Sequence, residues 1–398
     1  MKTYDLIILG AGITGISVAR QKILTDPDCK ILIIEKEQKI GMHGSGRNSG
    51  VLHSGIYYPP HTLKAKFCAE GSRLMTNYCK EYKLPILKCG KVILPTKRQD
   101  YDQVDLLYER GTINGASVEI ISQKELLEIE PEANPAIERA LYSPNTSVVD
   151  SFAVLNKIQF ELINLGVKIL FNEEVILANP DQSTVKTNRG SSFKYAHLIN
   201  CTGQYSDRVS KFFNVGKQYT LLPFKGLYYG LHKNSNIQIN GLIYPTPDLS
   251  MPFLGVHSVR LVDGSVYFGP TAIPAFGREN YQGLKGVNIK DATSISYHLL
   301  RQYAGNKQGF RSYAHQELHK LFKSEFLKSM QKLVPRLSDS NLIVSQKVGI
   351  RAQLLDTKSN ELIMDFLVER VDNTTHVLNA VSPAFTSAFS FAKYILNK

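Results

Sequence analysis

The sequence predicts an α/β chain, α+β overall, and three observations carry that expectation. Residues 4–9 (YDLIIL) are an apolar run of strand length, 13–24 have helical spacing, and 30–34 (KILII) form a second short apolar run, so the chain opens on a β-α-β unit. Elements of the same kind recur in the middle and at the end of the chain. Between them lie stretches in which short β runs alternate with proline and glycine. The expected architecture is a discontinuous Rossmann-like nucleotide-binding domain over 1–85, 151–218 and 346–398. A mixed-sheet substrate-binding domain is expected over 86–150 and 219–345.

Each element has its own signal. Residues 64–82 keep helical spacing and stop before Leu84-Pro85. A strand (KVILPT), a helix over 100–114 and a short helix over 124–128 follow. Residues 151–165 read as a helix stopped by Gly166, then come strands VKILF and EVILA and a strand over 193–201 that runs into Thr202-Gly203. Helical blocks are expected over 291–303 and 317–333. The end returns to strands over 361–369 and 377–380 and a helix over 384–396.

Bulk composition narrows the classes. The 398 residues are 43% hydrophobic and 21% charged, which is globular rather than disordered. A net charge of +12 suits acidic substrates, anionic lipid or nucleic acid without choosing among them. No stripe of basic residues interleaved with aromatics supports nucleic acid as a partner. The five cysteines form no CxxC pair, so they read as reduced thiols, and no metal site is expected. No apolar run is long enough for a membrane span, and glycines at 10, 12 and 15 break the one N-terminal stretch that resembles a signal peptide. The expected location is cytoplasmic. The lysine-rich helix over 325–336 reads as a solvated surface helix, and its charge adds peripheral contact with the inner face of the cell membrane to the expectations.

Gly10-Ala11-Gly12-Ile13-Thr14-Gly15 fits G-x-G-x-x-G, follows a strand and opens a helix, and Glu35 ends the second strand. Gly10 permits the tight turn, Gly12 the approach of a pyrophosphate and Gly15 close helix–strand packing. The helix N-terminus attracts phosphate, and Glu35 suits ribose hydroxyls. A glycine-rich segment, GMHGSGRNSGVLHSGIYY, follows at once, and LINCTGQYSD supplies a second strand-to-turn element. A cofactor wrapped by several segments is held permanently, which favours FAD over a nicotinamide. The cofactor-binding residues expected are therefore Gly10, Gly12, Thr14, Gly15, Glu35, Lys36, Gly46, Arg47, Asn48, Ser49, Gly50, Val175, Cys201, Thr202 and Gly203.

GSGRNSGVLHSGIYY, LKAKFCAEG at 63–71, LPFKGLYY at 222–229, IYPTPD at 243–248, PFLGVH at 252–257, GIRAQLLD at 349–356 and NAVSPAFTSAFSFA at 379–392 together resemble L-2-hydroxyglutarate dehydrogenase/oxidase, a branch of the FAD-dependent D-amino-acid oxidase-like superfamily. The resemblance spans nearly the whole chain. Val381 departs from it, standing where proline is expected before Ser382-Pro383, and so does the basic block before Pro335. The resemblance implies oxidation of the C2 hydroxyl of L-2-hydroxyglutarate to 2-oxoglutarate, with hydride passing to flavin N5. The sequence shows no second redox centre, so the reduced flavin is expected to pass its electrons to quinone or oxygen. It also implies that Arg351, in a G-x-R motif, grips a substrate carboxylate. Ser382, Ala384, Phe385 and Thr386 would present a helix N-terminus to the flavin.

Oxidising a secondary alcohol needs a base, and a histidine titrates in the right range. His53, a few residues past the phosphate-wrapping loop, is the first choice and His257 the second. A dianionic substrate needs two cationic anchors. Arg351 is one; Arg260, Lys64, Lys66 and Lys225 compete for the other. Tyr57 and Tyr244 are candidate hydrogen-bond donors to the same small dicarboxylate. The alternatives are another 2-hydroxy acid, an amino acid or glycerol 3-phosphate as substrate, and, from a different class, an FAD-binding RNA-modification factor.

Overall fold

The computed structural model describes all 398 residues, in two compact units. The first comprises Met1–Asn48, Ser151–Pro223 and Arg351–Lys398, and the second Ser49–Asp150 and Phe224–Ile350. The sequence division put residues 49–85 with the first domain. By packing they join the second, because strands Val51–Leu52 and Ile86–Lys88 both pair with strand Ser147–Val149.

At the centre of the first unit the strand Lys2–Leu9 pairs in parallel with Ile31–Ile34 on one side and Ser192–Asn200 on the other. Lys168–Leu170 and Thr374–Asn379 extend this parallel sheet at its two sides. Residues 6–9 and 31–34 are buried throughout, the continuous apolar pattern that parallel strands need. Helix Ile13–Thr25 makes the first crossover and packs against helices Ser151–Asn164 and Ala384–Asn397. The expected strand over 361–369 is instead two, Glu361–Leu362 and Leu367–Val371. In the break, side-chain amides take the carbonyls a sheet partner would need. Gln353 donates to Ile363 O at 2.6 Å, and Asn379 donates to Ile363 O and Asp365 O at 3.0 and 2.7 Å.

In the second unit the strand Lys91–Leu94 lies between Leu242–Pro245, parallel, and Arg139–Ser143, antiparallel. His257–Arg260 and Val266–Gly269 continue the sheet beyond 242–245. Alternation splits the core in two. Val92, Leu94, Ile243 and Phe268 pack with Phe326 and Met330, whereas Ile93, Leu242, Tyr244 and Val259 pack with Tyr57 and Leu141.

The helical block expected over 317–333 is two helices, Phe310–His319 and Lys323–Gln331. Buried Glu317 fixes the end of the first by accepting Ala272 N–H at 2.6 Å and the ammonium of Lys320. The second helix hides its apolar stripe in the core, and its lysines are paired: Lys323 with Asp339 at 2.9 Å and Lys328 with Glu325 at 2.7 Å. No helix is long and apolar enough to cross a membrane.

Candidate active site

The first unit holds the nucleotide fingerprint, and its glycines are required by contact. Gly10 has φ +99°, and a Cβ there would lie 2.6 Å from the Cys201 carbonyl oxygen. A Cβ on Gly15 would lie 2.0 Å from Gly10 O. The turn is thus pressed between its own helix and the end of strand 192–200, where Cys201 N–H donates to Leu9 O at 2.8 Å. Glu35, at the end of the second strand, accepts Ala11 N–H at 2.7 Å and Glu37 N–H at 2.9 Å. A carboxylate has about four acceptor positions, so two bonds leave it capacity for hydroxyl donors.

The glycine-rich loop folds onto this turn. Ser45, which the sequence reading did not single out, accepts Ile13 N–H through Oγ at 2.9 Å, and a Cβ on Gly12 would stand 3.0 Å from that oxygen. Asn48 donates to Gly44 O and Ser45 O, and Ser151 donates to Asn48 Oδ1. Arg47 donates to Met42 O at 2.9 Å. Both nitrogens of His43 are engaged, one by Gln204 at 3.1 Å and one by Glu37 at 2.9 Å. Lys36 pairs with Glu37 and stands 5.1 Å from the Tyr205 ring centroid. Desolvation would raise the Glu37 carboxyl, but the hydrogen bonds from Lys36 and His43 outweigh it and lower it from its ordinary value.

Two expected cofactor glycines serve the chain's own packing. A Cβ on Gly46 would meet Gly41 O at 2.3 Å and Phe152 at 2.4 Å, and one on Gly50, at φ +75°, would meet Val149 O at 2.3 Å. Gly44 and Gly203 are open, with nothing within 4 Å of where a Cβ would stand. Thr202 donates to Asn200 Oδ1 at 2.6 Å, Val175 opens the outer strand Val175–Asn179, and Ser49 falls in the second unit. Thr14 lies in the first turn of its helix; Ala384, Phe385 and Thr386 begin the last helix just after Ser382. Arg351 is half-buried in strand Leu342–Asp356. A turn this tight, a helix N-terminus beside it and an open loop fit a dinucleotide.

In the second unit, loop 53–58 is tied down from several sides. Cys68 donates its thiol hydrogen to His53 O at 3.2 Å, and Asn114 donates to Gly55 O and Tyr58 O at 2.9 Å each. Arg110 donates to Tyr57 O at 3.2 Å, and Ser54 is bonded to Ser143 and Thr146 at 2.8 Å. Tyr57 is buried, and burial drives its phenol well above its usual pKa. Tyr244 and His257 stack at 3.8 Å and 19°. His257 Nδ1 lies 2.7 Å from Gly255 O. A carbonyl only accepts, so Nδ1 carries the hydrogen, and in the neutral form of the ring the lone pair is on Nε2.

The cationic candidates divide clearly. Arg260 points to the sheet face opposite His257 and donates to Ile239 O and Asn240 O at 3.3 Å each, so it braces a turn. Glu130 accepts Asn240 N–H at 3.0 Å in the same turn, and burial raises its carboxyl to about 7. Lys66 is exposed on its helix. Lys64, two residues before it, is the buried one, 5.7 Å from the Tyr58 ring centroid. Helical spacing explains the exchange, since the buried stripe runs Lys64, Phe67, Cys68, Gly71 and Met75. Lys225 is half-buried and donates to Asn280 Oδ1 at 3.0 Å. The structure also brings Lys91, which the sequence reading passed over, against Tyr57 and Tyr244.

Comparison with known proteins adds a family. The FAD dependent oxidoreductase family matches residues 5–397. L-2-hydroxyglutarate dehydrogenase of Escherichia coli K12 is 36% identical over 401 residues, covering 99% of this chain and 93% of its own. The human mitochondrial L-2-hydroxyglutarate dehydrogenase is 32% identical over 418 residues, covering 100% and 88%. Among solved structures, dithionite-reduced L-alpha-glycerophosphate oxidase from Mycoplasma pneumoniae with FAD bound has a TM-score of 0.77 at 23% identity, covering 100% of this chain and 96% of that one. Glycine oxidase from Geobacillus kaustophilus has a TM-score of 0.71 at 16% identity, with the same coverage. At those identities the two structures speak for the fold alone.

Proposed function

The chain belongs to the FAD-dependent oxidoreductase family and, within it, to the L-2-hydroxyglutarate dehydrogenases, and from that premise we propose that it oxidises L-2-hydroxyglutarate to 2-oxoglutarate. The cofactor is FAD, which when bound supplies the acceptor for the C2 hydride. The observation that carries the reading furthest is the anchored loop 53–58, which fixes a half-buried histidine by its backbone carbonyl.

His53 takes the hydroxyl proton as the C2–H bond breaks and the carbonyl forms. His257, 5% exposed with its tautomer set by Gly255, is the alternative base. Arg351 grips one carboxylate through paired N–H groups. Lys64, buried and cationic, takes the second carboxylate in preference to exposed Lys66. Tyr57 and Tyr244 wall the site. The turn beneath Gly10 and Gly12, with Ser45 above it, holds the pyrophosphate of FAD. Electrons leave to quinone or to oxygen. For peripheral contact with an anionic membrane, the helix Ile289–Gly305 and the turn after residue 319 are better placed than the lysine-rich helix. They expose Tyr297, Leu300 and Phe322, and the Arg301 guanidinium lies 5.8 Å from the Tyr297 ring centroid.

The test is anaerobic mixing of the yellow holoenzyme with L- or D-2-hydroxyglutarate. The L form alone should bleach the visible flavin band, and bleaching by glycerol 3-phosphate or amino acids instead would reject the substrate. His53→Ala should keep the colour and lose reduction; if His257→Gln does so while His53→Ala reduces normally, the base is His257. Co-sedimentation with anionic vesicles, reversed by salt, tests the membrane contact.

A further inference from the structure

The strand Lys91–Leu94 (KVIL) is buried at all four positions. Val92 and Leu94 enter one core and Ile93 the other. Strand alternation therefore gives Lys91 a position beside Ile93 that an aliphatic residue would ordinarily fill. Lys91 is 1% exposed, and its Nζ has no hydrogen-bond partner. Two aromatic faces enclose it instead: the ammonium lies 4.7 Å from the Tyr57 ring centroid and 5.4 Å from that of Tyr244. The titratable groups that face it are those two phenols and Cys68, from helix Leu63–Glu81, whose thiol also feels Lys64. None is a carboxylate.

An ammonium withdrawn from water without a counter-ion weakens a fold, and attraction to two ring faces offsets only part of the loss. Methionine would fill the same space at lower cost. What the charge does is join two pieces of the unit. Tyr57 belongs to the loop that carries His53, and Tyr244 is stacked on His257. We propose that Lys91 is a positioning residue for the hydroxy-acid oxidation, retained against stability, whose charge ties the His53 loop to the Tyr244–His257 pair. This rests on the function proposed above. Burial draws the ammonium down to about 8, so the tie is charged at neutral pH and is released as the pH rises through that value.

The test compares wild type, Lys91→Met and Lys91→Arg as holoenzymes, by urea unfolding and by the rate of anaerobic flavin reduction at saturating L-2-hydroxyglutarate between about pH 6.5 and 9.5. Lys91→Met should bind FAD and unfold at higher urea than wild type, yet reduce its flavin about tenfold to a hundredfold more slowly. Wild-type reduction should slow as the pH rises through about 8, and Lys91→Met should lack that limb. Lys91→Arg should stay near the wild-type rate and hold it above pH 8, since guanidinium keeps its proton. A lower urea midpoint for Lys91→Met, an unchanged reduction rate, or a limb near pH 8 shared by wild type and Lys91→Met would each overturn the proposal. Failure of L-2-hydroxyglutarate to bleach the wild type overturns the substrate instead, and the urea comparison still judges Lys91.

Discussion

Tyr244 and His257 stand directly opposite each other on neighbouring antiparallel strands, with their rings stacked at 3.8 Å. The ladder pairs Leu242 with Val259 and Ile243 with Ser258, so the next pair outward is 244 with 257 on one sheet face. A stack of this kind orients the imidazole through ring contact rather than through the phenol. Tyr244→Phe should therefore keep flavin reduction within about twofold, and Tyr244→Ala should slow it about tenfold, the loss of one aromatic pair. Stopped-flow reduction measures both.

Gly15 leaves no space for a side chain, with Gly10 O 2.0 Å from where a Cβ would be. Gly15→Ala should force the helix away from the strand and misplace its N-terminus. The expected result is protein that purifies without its yellow colour and regains little when FAD is added. Gly44→Ala, where nothing lies within 4 Å of the added carbon, is the control and should stay yellow.

Lys91 also makes a prediction about stability against pH. Its folded pKa is about 8 against the ordinary 10.5, so the unfolded chain binds more protons between those values and stability rises with pH across that window. At about 1.4 kcal/mol per pH unit the span amounts to about 3 kcal/mol. Urea midpoints measured from pH 7 to 10 should climb more in wild type than in Lys91→Met.

His376 acts at the other end of the scale. It is fully buried, contacts Thr374 and Asn200, and burial, reinforced by His197, lowers it to about 4 from the ordinary 6.5. The unfolded state binds the extra proton between those values, so stability present above pH 6.5 is lost as the pH falls toward 4. About 3 kcal/mol is at stake. His376→Asn should flatten the acid limb of the unfolding curve.

The helix Lys323–Gln331 separates packing from charge. Phe326→Ala removes a wholly buried ring from the core and should cost about 3–5 kcal/mol. Lys328→Gln, which breaks an exposed pair with Glu325, should leave the unfolding temperature close to that of wild type. Thermal unfolding of the two variants checks the contrast.

What the sequence carried by itself was local. Gly10, Gly12 and Gly15 at fixed offsets, an apolar run on either side and Glu35 at the end of the second strand specify a β-α-β turn, because backbone sterics and strand length act over a few residues. The parallel sheet and the helices over 13–25, 151–164 and 384–397 were legible for the same reason. Period and punctuation mark an element before it packs. The recurring motifs carried the family as well.

Tertiary structure decided the rest, because burial and pairing join residues far apart in the chain. In LKAKF the spacing sets Lys64 on the same helix face as Phe67, but the burial of that face is decided only when the helix is set against its unit. Arg260 lost its place as an anchor when strand alternation sent it to the face opposite His257, onto the carbonyls of residues 239 and 240. Gly50 looked like a cofactor glycine, yet the carbonyl it clears belongs to Val149, about a hundred residues along the chain. Lys91 is the sharpest case. In sequence it is an ordinary lysine at the start of a strand. Only folding shows that it lies in a core, between Tyr57 and Tyr244, where a charge has no water and no counter-ion.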